Sequence, residues 1–221
     1  MYLSAHLQMR KVLYFAREKK GHEGVKGTVT EDFRGILVHD HEITFYRYGS
    51  AHQECLAHVE RYLKDSMENE SSLTWNRRMR ELLQRMIHYR KEHTGEASLD
   101  AQTVAGFETE YQEILDKAKE EYKRNEPSPY YREGYNLYRR MQEYKTEHLL
   151  FLHDMRVPTT NNTAERCLRD YKRKQTFAMT FRSLESIEEL CHSKGVLLEV
   201  RKNNPNIYTA VMEIFNRRYG A

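Results

Sequence analysis

An α/β fold of the α+β kind, strand-rich at the start and helical afterwards, is predicted by three features of this 221-residue chain. Short β-forming runs lie within the first sixty residues. Apolar residues recur at spacings of three and four through the middle. Three further helical stretches follow a Pro-Asn-rich turn near residue 160.

The chain opens on strand-like sequence, and Val12–Phe15 forms a short apolar run before the charged segment REKKGHEG. That pattern suits a strand followed by a turn or short helix. Gly35-Ile-Leu-Val-His-Asp is the clearest strand. Its continuous apolar run fits burial on both faces, with Asp40 at the C-terminal edge. A third short strand is expected near Glu54–Ala57. From Leu73 to Leu152 the spacing becomes helical. Leu82, Leu83, Met86 and Tyr89 share one face. Phe107, Tyr111, Leu115, Ala118 and Tyr122 share another, and Tyr131, Tyr135, Tyr138, Met141 and His148 form a third stripe. Breaks at Thr94-Gly95 and Pro127-Ser-Pro129 separate these helices. After Pro158 a helix should begin with Asn162 as its cap. Two more helices are expected, near Leu184–Val200 and over the segment carrying Ile207, Val211, Ile214 and Phe215, divided by Asn203-Asn-Pro205.

The bulk composition excludes some classes. With 36 basic and 33 acidic side chains the net charge is +3, so any nucleic-acid surface must come from local clustering. The three cysteines, Cys55, Cys167 and Cys191, are an odd number that suggests no disulfide framework, and a reducing cytoplasm is the expected compartment. No stretch approaches the roughly 18 apolar residues of a membrane helix, so no membrane partner is expected. The N-terminus lacks signal-peptide order, and Met1 reads more as a cut than as a natural beginning.

Two carboxylates and one basic run are candidates for chemistry. Asp40 sits where α/β folds place their sites, at the end of a strand, with His39, His41 and Glu42 beside it. Taken alone, the segment reads more simply as a strand-end turn. Glu165 lies three residues after Asn162 and four before Arg169, so capping or a helical ion pair explains it equally simply. Arg166, Arg169, Lys172, Arg173, Lys174 and Arg182 make a one-sided cationic run, suited to phosphate or to plain solvation. Cys55-Leu-Ala-His58 supplies half of a zinc site at most, and a buried Cys beside a satisfied His is the simpler reading. Walker-type phosphate loops and G-x-S-x-G elbows are absent from the sequence.

Two segments together are far more specific. GILVHDHEITFYRYGSAHQECLAHVERYLK and HLLFLHDMRVPTTNNTAERCLRDYKRKQTFAMTFRS resemble the two C-terminal signature blocks of transposases of the insertion-sequence-66 family. VLYFAREKKGHEGV resembles the segment before the first block, and the Trp75-containing stretch resembles the family's helical insertion. The resemblance implies a ribonuclease-H-like mixed sheet, incomplete at its first strand, with a large helical insertion and C-terminal helices. Residues 1–72 would form the strand-rich part of the core, 73–152 the insertion, and 153–221 the helices carrying a catalytic Glu.

The family's catalytic set is two Asp and one Glu. The resemblance makes Asp40 the second Asp and Glu165 the Glu, both metal ligands, while Asn161, Asn162, Arg166 and Arg169 match the NNxAERxLR block. The first Asp is expected upstream of the segment resembling Tyr2–Gln8, and no acidic residue precedes Glu18. Thr180 stands where the family commonly has Gly. The implied chemistry is DNA cleavage and strand transfer with two Mg²⁺ or Mn²⁺ ions about 4 Å apart. Partners would be transposon ends and target DNA, with self-association by analogy only. Without the first Asp, little or no strand transfer is expected of this chain alone. The alternative is a non-catalytic DNA-binding or assembly module derived from a transposase.

Overall fold

A computed structural model describes residues 2–8, 11–178, 183–203 and 206–219, without the side chains of 2–8, 11, 170, 174–178, 203 and 217–219. The chain is mixed α/β and mostly helical, with a small parallel sheet. In chain order the elements are β1 Tyr2–Gln8, β2 Lys11–Arg17, α1 Gly21–Val25, β3 Ile36–His39, a 3-10 turn Ile43–Arg47, β4 Ala51–Glu54 and α2 Leu56–Asn69. Then come α3 Trp75–Glu92, α4 Ala101–Arg124, α5 Glu133–Glu143, α6 Lys145–His153, α7 Asn162–Ala178, α8 Leu184–Asn203 and α9 Ile207–Tyr219. The chain divides into two units. One is mid-chain, Arg34–Asn161; the other is terminal, Met1–Phe33 with Asn162–Ala221.

In the mid-chain unit β3 and β4 pair in parallel, from Ile36 opposite Ala51 to His39 opposite Glu54. The strand expected near Glu54–Ala57 lies earlier, because Leu56, Val59 and Leu63 recur at helical spacing and are fully buried along α2. Of the β3 residues only His39 is buried and the others are half-buried, so the expectation of burial on both faces is not met. The turn before β4 requires glycine at position 49. Its φ is +76°, and a Cβ there would stand 2.8 Å from the Gly35 carbonyl.

The helices meet on the stripes read from the sequence. Leu82, Leu83 and Met86 of α3 and Tyr111, Leu115 and Ala118 of α4 are buried in one cluster with Trp75, Met141 and Phe151. Glu121 of α4 accepts from the backbone N–H groups of Thr74 (2.9 Å) and Trp75 (3.1 Å), satisfying the open N-terminus of α3. Asp100 caps α4 by accepting from Thr103 N–H at 2.7 Å. The third stripe is not one helix. The chain turns at Tyr144, where ψ is 35°, so His148 belongs to α6 and Tyr135, Tyr138 and Met141 to α5.

In the terminal unit β1 and β2 are antiparallel, from Tyr2 opposite Arg17 to Gln8 opposite Lys11. Helix α7 lies on β1, α8 on β2 and α9 on α8. Tyr14 and Ala16 of β2, Tyr171 of α7, and Ile187 and Cys191 of α8 form the described core of this unit. Among the described residues no disulfide joins the cysteines, and no helix is long and apolar enough to cross a membrane.

Candidate functional site

Asp40 follows the last residue of β3 and is exposed. Among the described residues its carboxylate makes no hydrogen bond or ion pair. Its backbone is held instead. The carbonyl accepts from His39 Nδ1, and one residue back the His39 carbonyl accepts from Cys55 N–H at 2.7 Å. The other ring nitrogen of His39, Nε2, lies 3.2 Å from Nδ1 of His52 on β4. Burial lowers the pKa of both imidazoles, which favours their neutral forms at neutral pH.

Beneath this strand tip is a residue that the sequence reading did not single out. Glu54 ends β4, and its side chain is 1% exposed. Oε1 accepts from His41 Nδ1 at 2.6 Å and from the Tyr46 hydroxyl. Oε2 accepts from His148 Nε2 at 3.1 Å, with Arg140 Nε at 3.4 Å. Tyr111 Oη lies 3.0 Å from His148 Nδ1 and donates to the Met141 carbonyl at 3.1 Å. Burial by itself would raise the Glu54 pKa. Hydrogen bonds from His148 and His41, with the attraction of His148 and Arg140, outweigh it and hold the carboxyl well below the usual carboxylate range. Burial and the bond to Glu54 push the Tyr46 phenol well up, so it stays a donor. The signal in the sequence was a polar residue on a buried stripe: His148 stands among aromatics and Met141.

Glu165 is half-buried in the first turn of α7, where the positive end of the helix dipole favours a carboxylate. The helix begins at Asn162, where the sequence places its start. Ala164, Cys167, Leu168 and Tyr171 recur at helical spacing on the covered side. Asn162, Arg166, Arg169, Lys172 and Arg173 are exposed. Among the described residues no ion pair engages Arg166, Arg169 or Arg173. The Lys174 side chain and the whole of Arg182 lie outside the described residues. Asp40 and Asn161 belong to the mid-chain unit, and Glu165 with the arginines to the terminal one.

Cys55 is fully buried at the start of α2, and its Sγ accepts from the Asn161 N–H at 3.5 Å. It is therefore used in joining α2 to the segment before α7. Among the described residues no three His, Cys, Asp or Glu side chains are grouped to hold a metal ion. The donor type nevertheless fits a hard cation: an exposed carboxylate with no internal partner is what Mg²⁺ or Mn²⁺ takes. Asp40 meets that description, whereas Glu54 is already committed to buried partners.

A comparison with protein-family models matches residues 1–189 to the description "Transposase IS66 family". No curated protein and no solved structure matches the chain. The family match spans the strand tip bearing Asp40, the helices that follow it and the whole of α7, so the chain belongs to the IS66 family of transposases.

Proposed function

We propose that this chain takes part in transposition by metal-dependent cutting and joining of DNA, with Asp40 and Glu165 as carboxylate ligands. The observation that carries this reading is the family match across both signature segments, together with an exposed, internally uncommitted carboxylate at the β3 tip. The finer fold reading is ribonuclease-H-like, with α3–α6 as the helical insertion. The parallel β3–β4 pair ending at Asp40 supports it. Mg²⁺ or Mn²⁺, when bound, would polarise the scissile phosphate and activate the attacking oxygen. The chain's own part is to present hard oxygen donors and to hold phosphates on Arg166, Arg169, Lys172, Arg173, Lys174 and Arg182.

The test is Mg²⁺-dependent cleavage and joining of a duplex carrying the transposon's own end. Asp40→Asn and Glu165→Gln should each abolish it, and efficient strand transfer that persists in both would contradict the ligand assignment.

A second reading, a DNA-binding or assembly module without chemistry, is favoured by the exposed arginines of α7. It requires salt-sensitive DNA binding that survives Asp40→Ala and Glu165→Ala, with no effect of divalent cations.

A further inference from the structure

Groups that orient a metal ligand matter nearly as much as the ligand, because an exposed side chain on a mobile turn loses binding energy to ordering itself. The residues after Asp40 leave the sheet at once and enter the 3-10 turn Ile43–Arg47. A free turn of this kind would let Asp40 wander. Here the turn is fastened from below by one buried carboxylate.

Oε1 of Glu54 takes both His41, the residue next to Asp40, at 2.6 Å and Tyr46, inside the turn. Oε2 is held by His148 of α6 and Arg140 of α5, so the anchor is tied to the helical body. Rings close the gaps between these bonds. Tyr46 lies 4.9 Å from His39 and 4.7 Å from Tyr144, and His41 lies 5.0 Å from Tyr144. Gln53, the neighbouring strand residue, locks the same region by donating to the His148 carbonyl at 3.3 Å and accepting from Phe151 N–H at 2.8 Å. The Asp40 backbone is thus clamped by His39 on one side and by His41 on the other.

We propose that Glu54 is a positioning residue: its buried carboxylate, through His41 and Tyr46, fixes the turn that presents Asp40 to a divalent cation. Glu54 touches neither DNA nor metal in this scheme. The inference rests on the reading of Asp40 as a metal ligand.

The test uses the full chain, labelled with ¹⁵N and titrated with Mn²⁺ alone. Line broadening of the His39–Glu42 amides reports the cation at Asp40. Hydrogen exchange of the Phe45 and Tyr48 amides, which close the 3-10 turn on the Glu42 and Phe45 carbonyls, reports the turn. In Glu54→Gln and in Tyr46→Phe the Mn²⁺ midpoint should rise by about tenfold. Exchange at Phe45 and Tyr48 should quicken by about tenfold while α3 and α4 amides keep their protection. Tyr46→Phe removes one oxygen from a half-buried site, so it decides the matter if Glu54→Gln does not fold.

An unchanged Mn²⁺ midpoint in the folded variants, with broadening abolished by Asp40→Asn, would overturn the positioning role and leave the ligand standing. Broadening indifferent to Asp40→Asn would overturn the metal reading, and the positioning role with it.

Discussion

The two units use charge in opposite ways. The mid-chain unit places charged and polar groups inside: Glu54, His148 and Gln53 are all at most 1% exposed, beside a core that includes Trp75, Tyr111 and Phe151. The terminal unit keeps its described core to Tyr14, Ala16, Tyr171, Ile187 and Cys191 and turns Arg166, Arg169 and Arg173 outward. Buried charge is costly to place and costly to disturb, whereas exposed charge contributes little to stability and is available to a ligand. The first arrangement therefore builds a support, and the second leaves its cations in solvent, as the proposed contact with DNA requires.

The largest effect should come from breaking the support. Glu54→Ala leaves Arg140 and His148 without their carboxylate and should destabilise the mid-chain unit by about 3–5 kcal/mol. Trp75, the chain's one tryptophan, is fully buried there, so urea unfolding followed by its fluorescence reads this unit. A loss under 1 kcal/mol would mean that the network is decorative.

The same group makes the unit acid-sensitive. Its folded pKa is depressed, so its contribution is complete above the ordinary value of 4.5 and is lost progressively as pH falls below it. His52 acts earlier. Burial lowers its folded pKa, so unfolding takes up a proton below the ordinary 6.5 and stability declines as pH drops through that value. Urea midpoints measured against pH should show both declines, and His52→Gln should weaken the first. A midpoint that rises on acidification would contradict the assignment.

A smaller effect is expected one bond further out. Tyr111→Phe leaves the Met141 carbonyl and His148 Nδ1 without the phenol and should cost about 1–2 kcal/mol by the same fluorescence measurement. An unchanged midpoint would confine the network to the direct partners of Glu54.

The terminal unit should respond in the reverse sense. Arg166→Ala, Arg169→Ala and Arg173→Ala combined should change stability by less than about 0.5 kcal/mol. Their removal should reduce the slope of log affinity against log salt for duplex DNA by about 2 to 3. Equal DNA affinity and slope in the triple variant would remove α7 from the binding face.

Much of this contrast was legible in the sequence, because it depends on local periodicity. The β3 run, the α3 and α4 stripes and the one-sided cations of α7 are each contained within one element. Glu54 was not legible. Its partners His148 and Arg140 stand on helices far along the chain, and no spacing rule connects a strand residue to them. Its own segment, AHQECLA, blurred further because the strand ends where a helical apolar spacing begins, which displaced the expected strand toward Ala57. The break at Tyr144 was hidden by an aromatic stripe that continues in register across two helices.

The proposed role of Asp40 as a cation ligand is the point on which the rest depends. Mn²⁺ titration of the ¹⁵N-labelled chain measures it most directly. The amides flanking Asp40 should broaden, and Asp40→Asn should cancel that broadening. Broadening that is unchanged in Asp40→Asn would contradict it.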